Sequence, residues 1–191
     1  MKKKLGILFI ALSIVLILVI IFLFNNLKFT SSNPDPYNVA LSQSDIANLP
    51  DEFILNSAYS QSFYTTSSIK PGFITGYDRS FQYQNSDNIN NSITIMNSVS
   101  FYNSSELALN DFNAKELSVL NFGCDQFNIS NTGDKSFGCI LSNYPLGGIT
   151  SYAVYFYKGN KVGFIYLEEQ GSKIDLTNEA ISYSQIVANR F

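Results

Sequence analysis

A long apolar run opens the chain. Residues 5–24 contain no charged side chain, and at about 1.5 Å per residue a helix of this length spans roughly 30 Å, the hydrocarbon core of one bilayer. Lysines occupy positions 2–4 and asparagines occupy positions 25–26. Because positive charge is retained on the cytoplasmic side, we expect a signal-anchor: a cytoplasmic tail over 1–4, a transmembrane helix over 5–24, and the remainder outside the cytoplasm.

Two alternatives to a retained anchor start from the same run. A cleaved signal peptide usually has an apolar core of about 7–15 residues and a small-x-small cleavage site, and neither feature is present; nor does a cysteine follow the run to accept a lipid. A pilin-like leader would be cut after Gly6, but such helices usually carry a glutamate soon after the cut and this run has none.

The apolar run is followed by a polar stretch. Residues 25–40 are rich in Ser, Asn and Pro, which favour turns and extended chain, so we predict a linker there and an extracytoplasmic domain over 41–191. At the start of that domain, Ser44 to Asn48 favours a short helix that stops before Pro50.

Alternation with a period of two predicts a first pair of strands, over 73–83 and 93–101. The Asn-rich stretch 85–91 between them supplies the turn, so the strands should pair antiparallel. A helix is expected next, from about Ser104 to Leu120, with Asn103 as N-cap and Glu106 at the third helical position. Its apolar stripe consists of Leu109, Phe112, Val119 and Leu120.

A second hairpin is predicted around Gly159-Asn160, between the aromatic segments 151–157 and 162–167. Both faces of this hairpin are apolar, so it should be covered on both sides or lie centrally in the sheet. Apolar residues spaced three and four apart then predict a terminal helix starting at Asp175 or Thr177. These elements indicate an α+β domain: one mainly antiparallel sheet with helices packed on one or both faces.

Turn and strand motifs of this domain resemble those of a known fold group. The motifs are Gly72-Phe73, Gly76-Tyr77, Arg79-Ser80-Phe81, Gly133-Asp134-Lys135-Ser136 and Phe156-Tyr157-Lys158-Gly159-Asn160, together with the final helix. Over roughly residues 45–191 the chain is similar to exported single-domain proteins of the PsbP and Mog1-like α/β/α sandwich group, which includes anchored lipoproteins. The resemblance implies a sandwich fold and carries over no functional residue.

The two cysteines, Cys124 and Cys139, both lie in the part predicted to be exported, where disulfides persist. If the chain folds as a hairpin with its turn at residues 131–134, the numbers of facing residues sum to 263. Cys124 and Cys139 would then lie opposite each other. We therefore predict a structural disulfide. The alternatives are two free thiols or a redox pair, but neither a C-x-x-C spacing nor a basic neighbour supports reactivity.

Charge and composition limit the classes of function. Without the three N-terminal lysines, the part predicted to be exported contains nine basic and fifteen acidic residues, a net charge of −6. Scattered single cations argue against a nucleic-acid partner. Histidine is absent, which excludes Ser-His-Asp and Cys-His catalysis and His-ligated zinc. We predict no cofactor and no metal site.

Few residues are candidates for chemistry. Glu168 and Glu169 are adjacent on a strand and should face opposite ways, as ordinary charges at a strand end do. Around the cysteine hairpin the candidate metal ligands are Asp111, Asp125 and Asp134, without a calcium-loop spacing. Arg79 is a candidate ligand contact, with a structural ion pair or aromatic stack as the alternative. Sequons make Asn90, Asn103 and Asn128 candidate glycosylation sites.

The leading functional hypothesis is a non-enzymatic domain, anchored in the lipid bilayer through residues 5–24, that binds an unknown extracytoplasmic protein or ligand at the cell surface. One alternative is a hydrolase of envelope polymers, which needs two acids about 5–10 Å apart in a pocket. The other is a pilin-like filament subunit, which N-terminal sequencing would reveal by processing at Gly6.

Overall fold

The structure is a computed structural model that describes residues 35–46, 49–63, 70–143 and 148–191. These residues belong to one compact unit, residues 34–191. The predicted anchor at residues 5–24 lies outside the described ranges. Within them, no helix combines the length and the apolar character needed to cross a membrane.

The described chain forms a seven-stranded antiparallel sheet with short and long helices. The elements in chain order are α1 (Pro36–Val39), a 3₁₀ helix (Gln43–Asp45), β1 (Phe53–Phe63), β2 (Phe73–Asn85), β3 (Ser92–Tyr102), α2 (Ser105–Asn121), β4 (Asp125–Phe127), β5 (Lys135–Asn143), β6 (Ile149–Lys158), β7 (Lys161–Gln170) and α3 (Thr177–Arg190). The strand order is β1-β2-β3-β7-β6-β5-β4, which puts β7 at the centre. The expected α+β class is confirmed.

Two of the predicted hairpins form with the expected strands. In the first, Phe81 pairs with Ile95 and Tyr77 with Val99. In the second, Lys158 pairs with Lys161 across the Gly159-Asn160 turn, where Gly159 has a φ of 59° that favours glycine. The terminal helix is also confirmed, because α3 begins at Thr177.

Helices cover both faces of the sheet. On one face, which we call the core face, α1 and α3 pack over the main hydrophobic cluster; α2 packs on the opposite face over a smaller cluster. The hairpin β6–β7 contributes to both clusters: Val154, Phe156 and Ile165 to the main one, and Val162 and Tyr157 to the smaller. Its two apolar faces therefore each find a partner, as the sequence predicted.

The strand β1 was not predicted from the sequence. Among the described strands it forms one edge of the sheet and pairs with β2 alone. Its residues from Asn56 to Gln61 are all exposed, so small polar side chains are tolerated and the apolar alternation that reveals a half-buried strand is absent. A bulge between Leu55 and Ser57 also interrupts the period.

The cap of α2 lies one residue later than predicted. The N-cap is Ser104, whose Oγ accepts a hydrogen bond from the Leu107 backbone at 3.3 Å. Asn103 instead donates its backbone N–H to the Gly72 carbonyl at 2.8 Å, which holds it in the preceding turn. Glu106 is therefore at the second helical position, and the predicted capping box does not form.

The folded domain starts earlier than the predicted boundary between a linker over 25–40 and a domain from 41. Pro36–Val39 is helical, and the residues from Val39 to Leu41 are buried. The short helix predicted over Ser44–Asn48 is a 3₁₀ helix over Gln43–Asp45, capped by Ser42. Composition indicated a linker because this segment is polar, but a few apolar side chains suffice to bury it against the sheet.

Polar contacts attach this N-terminal segment to the core face. The buried Asn97 side chain accepts a hydrogen bond from the Leu41 N–H at 2.8 Å and donates to the Phe164 carbonyl at 3.2 Å. Arg190 of α3 donates to both carboxylate oxygens of Asp45, at 2.9 and 2.5 Å. Buried backbone groups need such partners, so these side chains determine where residues 40–45 lie.

The predicted disulfide between Cys124 and Cys139 is present, with a Cα–Cα distance of 5.7 Å. The predicted register is wrong by two residues, because Cys139 faces Gln126. Phe127 is opposite Gly138, where a Cβ atom would lie 2.6 Å from the Phe127 ring. The Phe127 ring therefore requires glycine at position 138. Because Cys124 lies two residues before Gln126, the disulfide from Cys139 runs diagonally to it.

Removing the disulfide should lower stability. For the double variant Cys124→Ser/Cys139→Ala we expect a free energy of unfolding about 3 kcal/mol lower, because the unfolded chain regains the entropy of an open loop. Denaturant unfolding of the full chain measures this value. Reduced wild-type protein should unfold at the same midpoint as the variant, and equal midpoints for oxidised wild type and variant would contradict the prediction.

The Asp45–Arg190 pair should make stability depend on acid pH. Burial raises the Asp45 pKa, but hydrogen bonds from Arg190 and Ser42 outweigh it and lower this pKa from 3.8 to about 2. Because the folded-state pKa is depressed, the contribution of the pair is complete above the unfolded value and disappears as the pH falls from 3.8 to about 2.

Unfolding measured at a series of pH values tests this dependence. The stability difference between wild type and Asp45→Asn should be constant near neutral pH and shrink below about pH 4. Arg190→Gln removes the same pair and should give the same profile. A difference that does not change with pH would show that the ionised carboxylate is not responsible.

Candidate functional site

α2 covers only part of the sheet face on which it packs. α2 contacts β3, β6 and β7, and beyond it Tyr59 and Met96 remain 60% and 43% exposed. We call this uncovered surface the open face. It contains a cavity of about 300 Å³, whose open-face lining is Tyr59, Asp78, Ser80, Met96, Ser98 and Phe164.

The pairing of four strands brings these residues together. Tyr59, Ser80 and Met96 form one row across β1, β2 and β3, and Asp78, Ser98 and Phe164 form the next row across β2, β3 and β7. Successive strand residues point to opposite faces, so each of these side chains alternates with a residue directed to the core face. The residues that line the cavity from the open face are therefore never neighbours in the sequence.

Aromatic rings form one side of this surface. Phe164 stacks on Tyr155 with ring centroids 4.4 Å apart, and lies 6.1 Å from the Tyr166 ring. Tyr59 at the opposite end is oriented by a hydrogen bond from its hydroxyl to Gln61 at 2.7 Å. Rings held in this way offer apolar area at little entropic cost when a ligand binds.

Asp78 also borders this cavity. Its Oδ1 atom is buried and accepts no hydrogen bond within the described part of the chain. The neighbouring Arg79 also borders the cavity, but its guanidinium lies on the core face. A buried carboxylate oxygen without a hydrogen-bond partner is unfavourable, which makes Asp78 a candidate for binding a positive group.

A second cavity of about 440 Å³ adjoins the open face on the side of β6. Its polar residues are connected: the Tyr166 hydroxyl donates to Glu168 at 2.6 Å and lies 2.9 Å from the Ser151 hydroxyl. Burial, together with the hydrogen bond to Glu168, raises the pKa of Tyr166 to about 12. Tyr166 therefore stays protonated and holds the Glu168 carboxylate in place. Phe122, 82% exposed, borders the opening.

A third cavity, of about 350 Å³, lies beside α2 and contains paired charges. Asp111 is 3.5 Å from the Lys70 ammonium and 3.1 Å from that of Lys115. Burial lowers the pKa of Lys115. Burial raises the pKa of Asp111, but the charges of Lys115 and Lys70 and hydrogen bonds from Tyr102 and Lys115 together outweigh it and lower this pKa. The Asp111 carboxylate is thus stabilised between two ammonium groups, which fits a structural ion cluster that fastens α2 to the chain just before β2.

Arg79 forms hydrogen bonds and aromatic contacts within the fold, the kind of structural role considered as the alternative to a ligand contact. Its two terminal nitrogens donate to the Leu41 carbonyl at 2.5 Å and to the Tyr77 hydroxyl at 3.1 Å. The guanidinium also lies over the rings of Tyr37 and Tyr77, 4.8 and 5.1 Å from their centroids. These contacts bind the N-terminal segment, on the face of the sheet away from the cavity.

The two glutamates do face opposite ways. Glu168 is on the open side, whereas Glu169 is 1% exposed and accepts hydrogen bonds from the backbone N–H groups of Ser172 and Lys173. Glu169 is therefore not an ordinary strand-end charge, because it closes the turn after β7.

The three aspartates considered as metal ligands do not converge. Asp111 pairs with lysines, Asp134 accepts the Gly159 N–H at 2.8 Å, and Asp125 is exposed. Among the residues described, no group of three potential ligands could hold a metal ion. The sequon asparagines Asn90, Asn103 and Asn128 are all exposed, and their modification stays a prediction.

Sequence reasoning did not single out the open face. The alternation placed Asp78, Ser80, Met96 and Ser98 on the side opposite the apolar residues of their strands, which was the available signal. The pattern does not show which part of that side a helix covers, and Tyr59 is in the strand that was missed.

Comparisons with known proteins reveal similarity in structure only. No known family matches the sequence, and no curated protein matches it either. The domain is similar to the extracellular domain of PknH from Mycobacterium tuberculosis, with a TM-score of 0.55, 8% identity, and coverage of 81% of this chain and 95% of that one. This likeness supports the fold, while the resemblance to the PsbP and Mog1-like group stays a prediction.

The role of Arg79 can be tested by substitution. Arg79→Lys keeps the charge but replaces the planar fork by one ammonium group, so we expect the free energy of unfolding to fall by about 1–3 kcal/mol. Urea unfolding of the full chain measures the change. Unaltered stability would mean that the contacts to Leu41 and Tyr77 contribute little, and would leave the guanidinium available for another role.

Proposed function

We propose that this protein is a membrane-anchored, non-enzymatic binding domain on the extracytoplasmic side, and that it binds its ligand at the open face. The ligand presents an organic cation beside an apolar group. The observation that carries this proposal is the buried Asp78 Oδ1 atom, which accepts no hydrogen bond from the described residues, in a cavity bordered by Tyr59, Met96 and Phe164.

Three observations support the location. Residues 5–24 have the length and charge bias of a signal-anchor. The disulfide Cys124–Cys139 is of the kind that persists in oxidising compartments. The structural neighbour is itself described as an extracellular domain.

The chemistry of the open face favours a cation. An ammonium group would donate a charge-assisted hydrogen bond to Asp78 and be attracted to the faces of the aromatic rings. The exported part has a net charge of −6, which repels anions and accelerates the approach of cations. Ser80 and Ser98 add hydroxyl groups that orient a polar ligand.

The hydrolase alternative has less support. It requires two acids about 5–10 Å apart in one pocket. In the described part of the chain, the cavities discussed above each contain one carboxylate: Asp78, Glu168 and Asp111 respectively. The proposal of a binding domain requires Asp78 alone and no pair of acids.

Binding of phenethylammonium to the full chain in lipid nanodiscs tests the proposal. The ligand combines a ring with an ammonium group, and saturation-transfer NMR detects it at weak affinity. We expect Asp78→Asn to weaken binding roughly tenfold, as loss of one charge-assisted contact predicts. Phenethyl alcohol, the neutral analogue, should bind weakly to wild type and equally weakly to the variant.

Two controls separate a built site from general attraction to an acidic protein. Asp87→Asn removes the same charge from an exposed turn and should leave binding unchanged; equal losses for both variants would overturn the proposal. A lysine-containing peptide that displaces phenethylammonium would identify a protein segment as the source of the cation, whereas a peptide without effect would indicate a free amine.

A further inference from the structure

The outer edge of the sheet at β1 is unusual in its chemistry. β1 is 11 residues long and contains neither a charged residue nor proline. The backbone of such an edge presents unpaired N–H and C=O groups, and proteins usually protect edges with charges, proline, bulges or short length. β1 has one bulge, between Leu55 and Ser57, and its register runs without interruption from Ser57 to Phe63. The residues from Asn56 to Gln61 are exposed along this edge.

The opposite edge of the same sheet is protected. β4 has three residues and is followed along the chain by a turn with a left-handed Asn131. The disulfide next to β4 also fastens that edge to β5. Protection at one edge and a long neutral strand at the other point to a pairing function for β1.

We propose that β1 pairs antiparallel with β1 of a second copy of this chain, which joins two sheets into one. A strand pairs with itself about a two-fold axis, so every residue near the axis faces itself or a close neighbour. Like charges would repel in that arrangement. The strand avoids this repulsion because it is neutral, although each exported part has a net charge of −6.

The symmetry suits two chains that are anchored in one membrane. Antiparallel strands in a continuous sheet are related by an axis perpendicular to the sheet, so the core faces of both copies point the same way. The N-terminal segment, including Leu41, packs on the core face, so these segments of the two copies would lie on the same side of the joined sheet. Anchoring also raises the effective concentration, which compensates for a small interface.

The dimer would place two open faces side by side. Tyr59 belongs both to β1 and to the cavity that Asp78 borders. Pairing of β1 would therefore bring the two cavities close together. The self-association itself does not depend on the ligand proposed above.

Cysteine cross-linking of the full chain in proteoliposomes tests the pairing. Ser57→Cys, Ala58→Cys and Ser60→Cys are introduced one at a time, with the native disulfide intact. We expect at least one of them to form a covalent dimer under mild oxidation at least tenfold faster than Ser118→Cys, an exposed position on α2. Equal rates at β1 and α2 positions would mean random collision and would overturn the proposal.

A charge at the edge separates strand pairing from association through the apolar N-terminal run. Ala58→Lys opposes two ammonium groups across the axis, so the dimer fraction measured by energy transfer between labelled copies should fall at least fivefold. Ser118→Lys should have no effect. Circular dichroism establishes that both variants fold, and a dimer that survives Ala58→Lys would show that β1 does not hold it together.

Discussion

The requirement to cover both faces of the central hairpin determines much of this structure. β6 and β7 carry apolar side chains on each side, and leaving either side in water costs about 25 cal/mol for every Å² of apolar surface. A helix is therefore needed on each face. A single helix is about 10 Å wide, however, and neighbouring strands are about 4.8 Å apart, so it covers only two or three of the seven strands.

The two faces of the sheet are covered to different extents. On the core face, α3 is supplemented by α1 and the buried residues Val39 and Leu41, so the main cluster extends to β2 and β3. On the other face no further element of the described residues supplements α2, and the strands beyond it expose Tyr59 and Met96. The open face is thus a consequence of helix width and not of a special motif.

Polar side chains give the core face its specific arrangement. Asn97 and Arg79 hold the N–H and the carbonyl of the same residue, Leu41, while Arg190 holds Asp45 nearby. Apolar packing alone is weakly directional, so it would allow this segment to shift along the sheet. Directed hydrogen bonds restrict it to one position. They also attach the N-terminal segment to β2 and β3, the strands whose opposite side contributes to the open face.

The sequence by itself determined the elements in which local pattern and burial agree. The two hairpins, both long helices, the α+β class and the pairing of Cys124 with Cys139 follow from side-chain period, turn residues and cysteine count, all of which are local or additive properties. The tertiary structure alone decided the edge strand β1, the early start of the domain, the register around Gly138 and the place of Asp78 beside Phe164. Each of these depends on which distant residues become neighbours, and strand order and helix coverage set those neighbours through packing that no short stretch of sequence encodes.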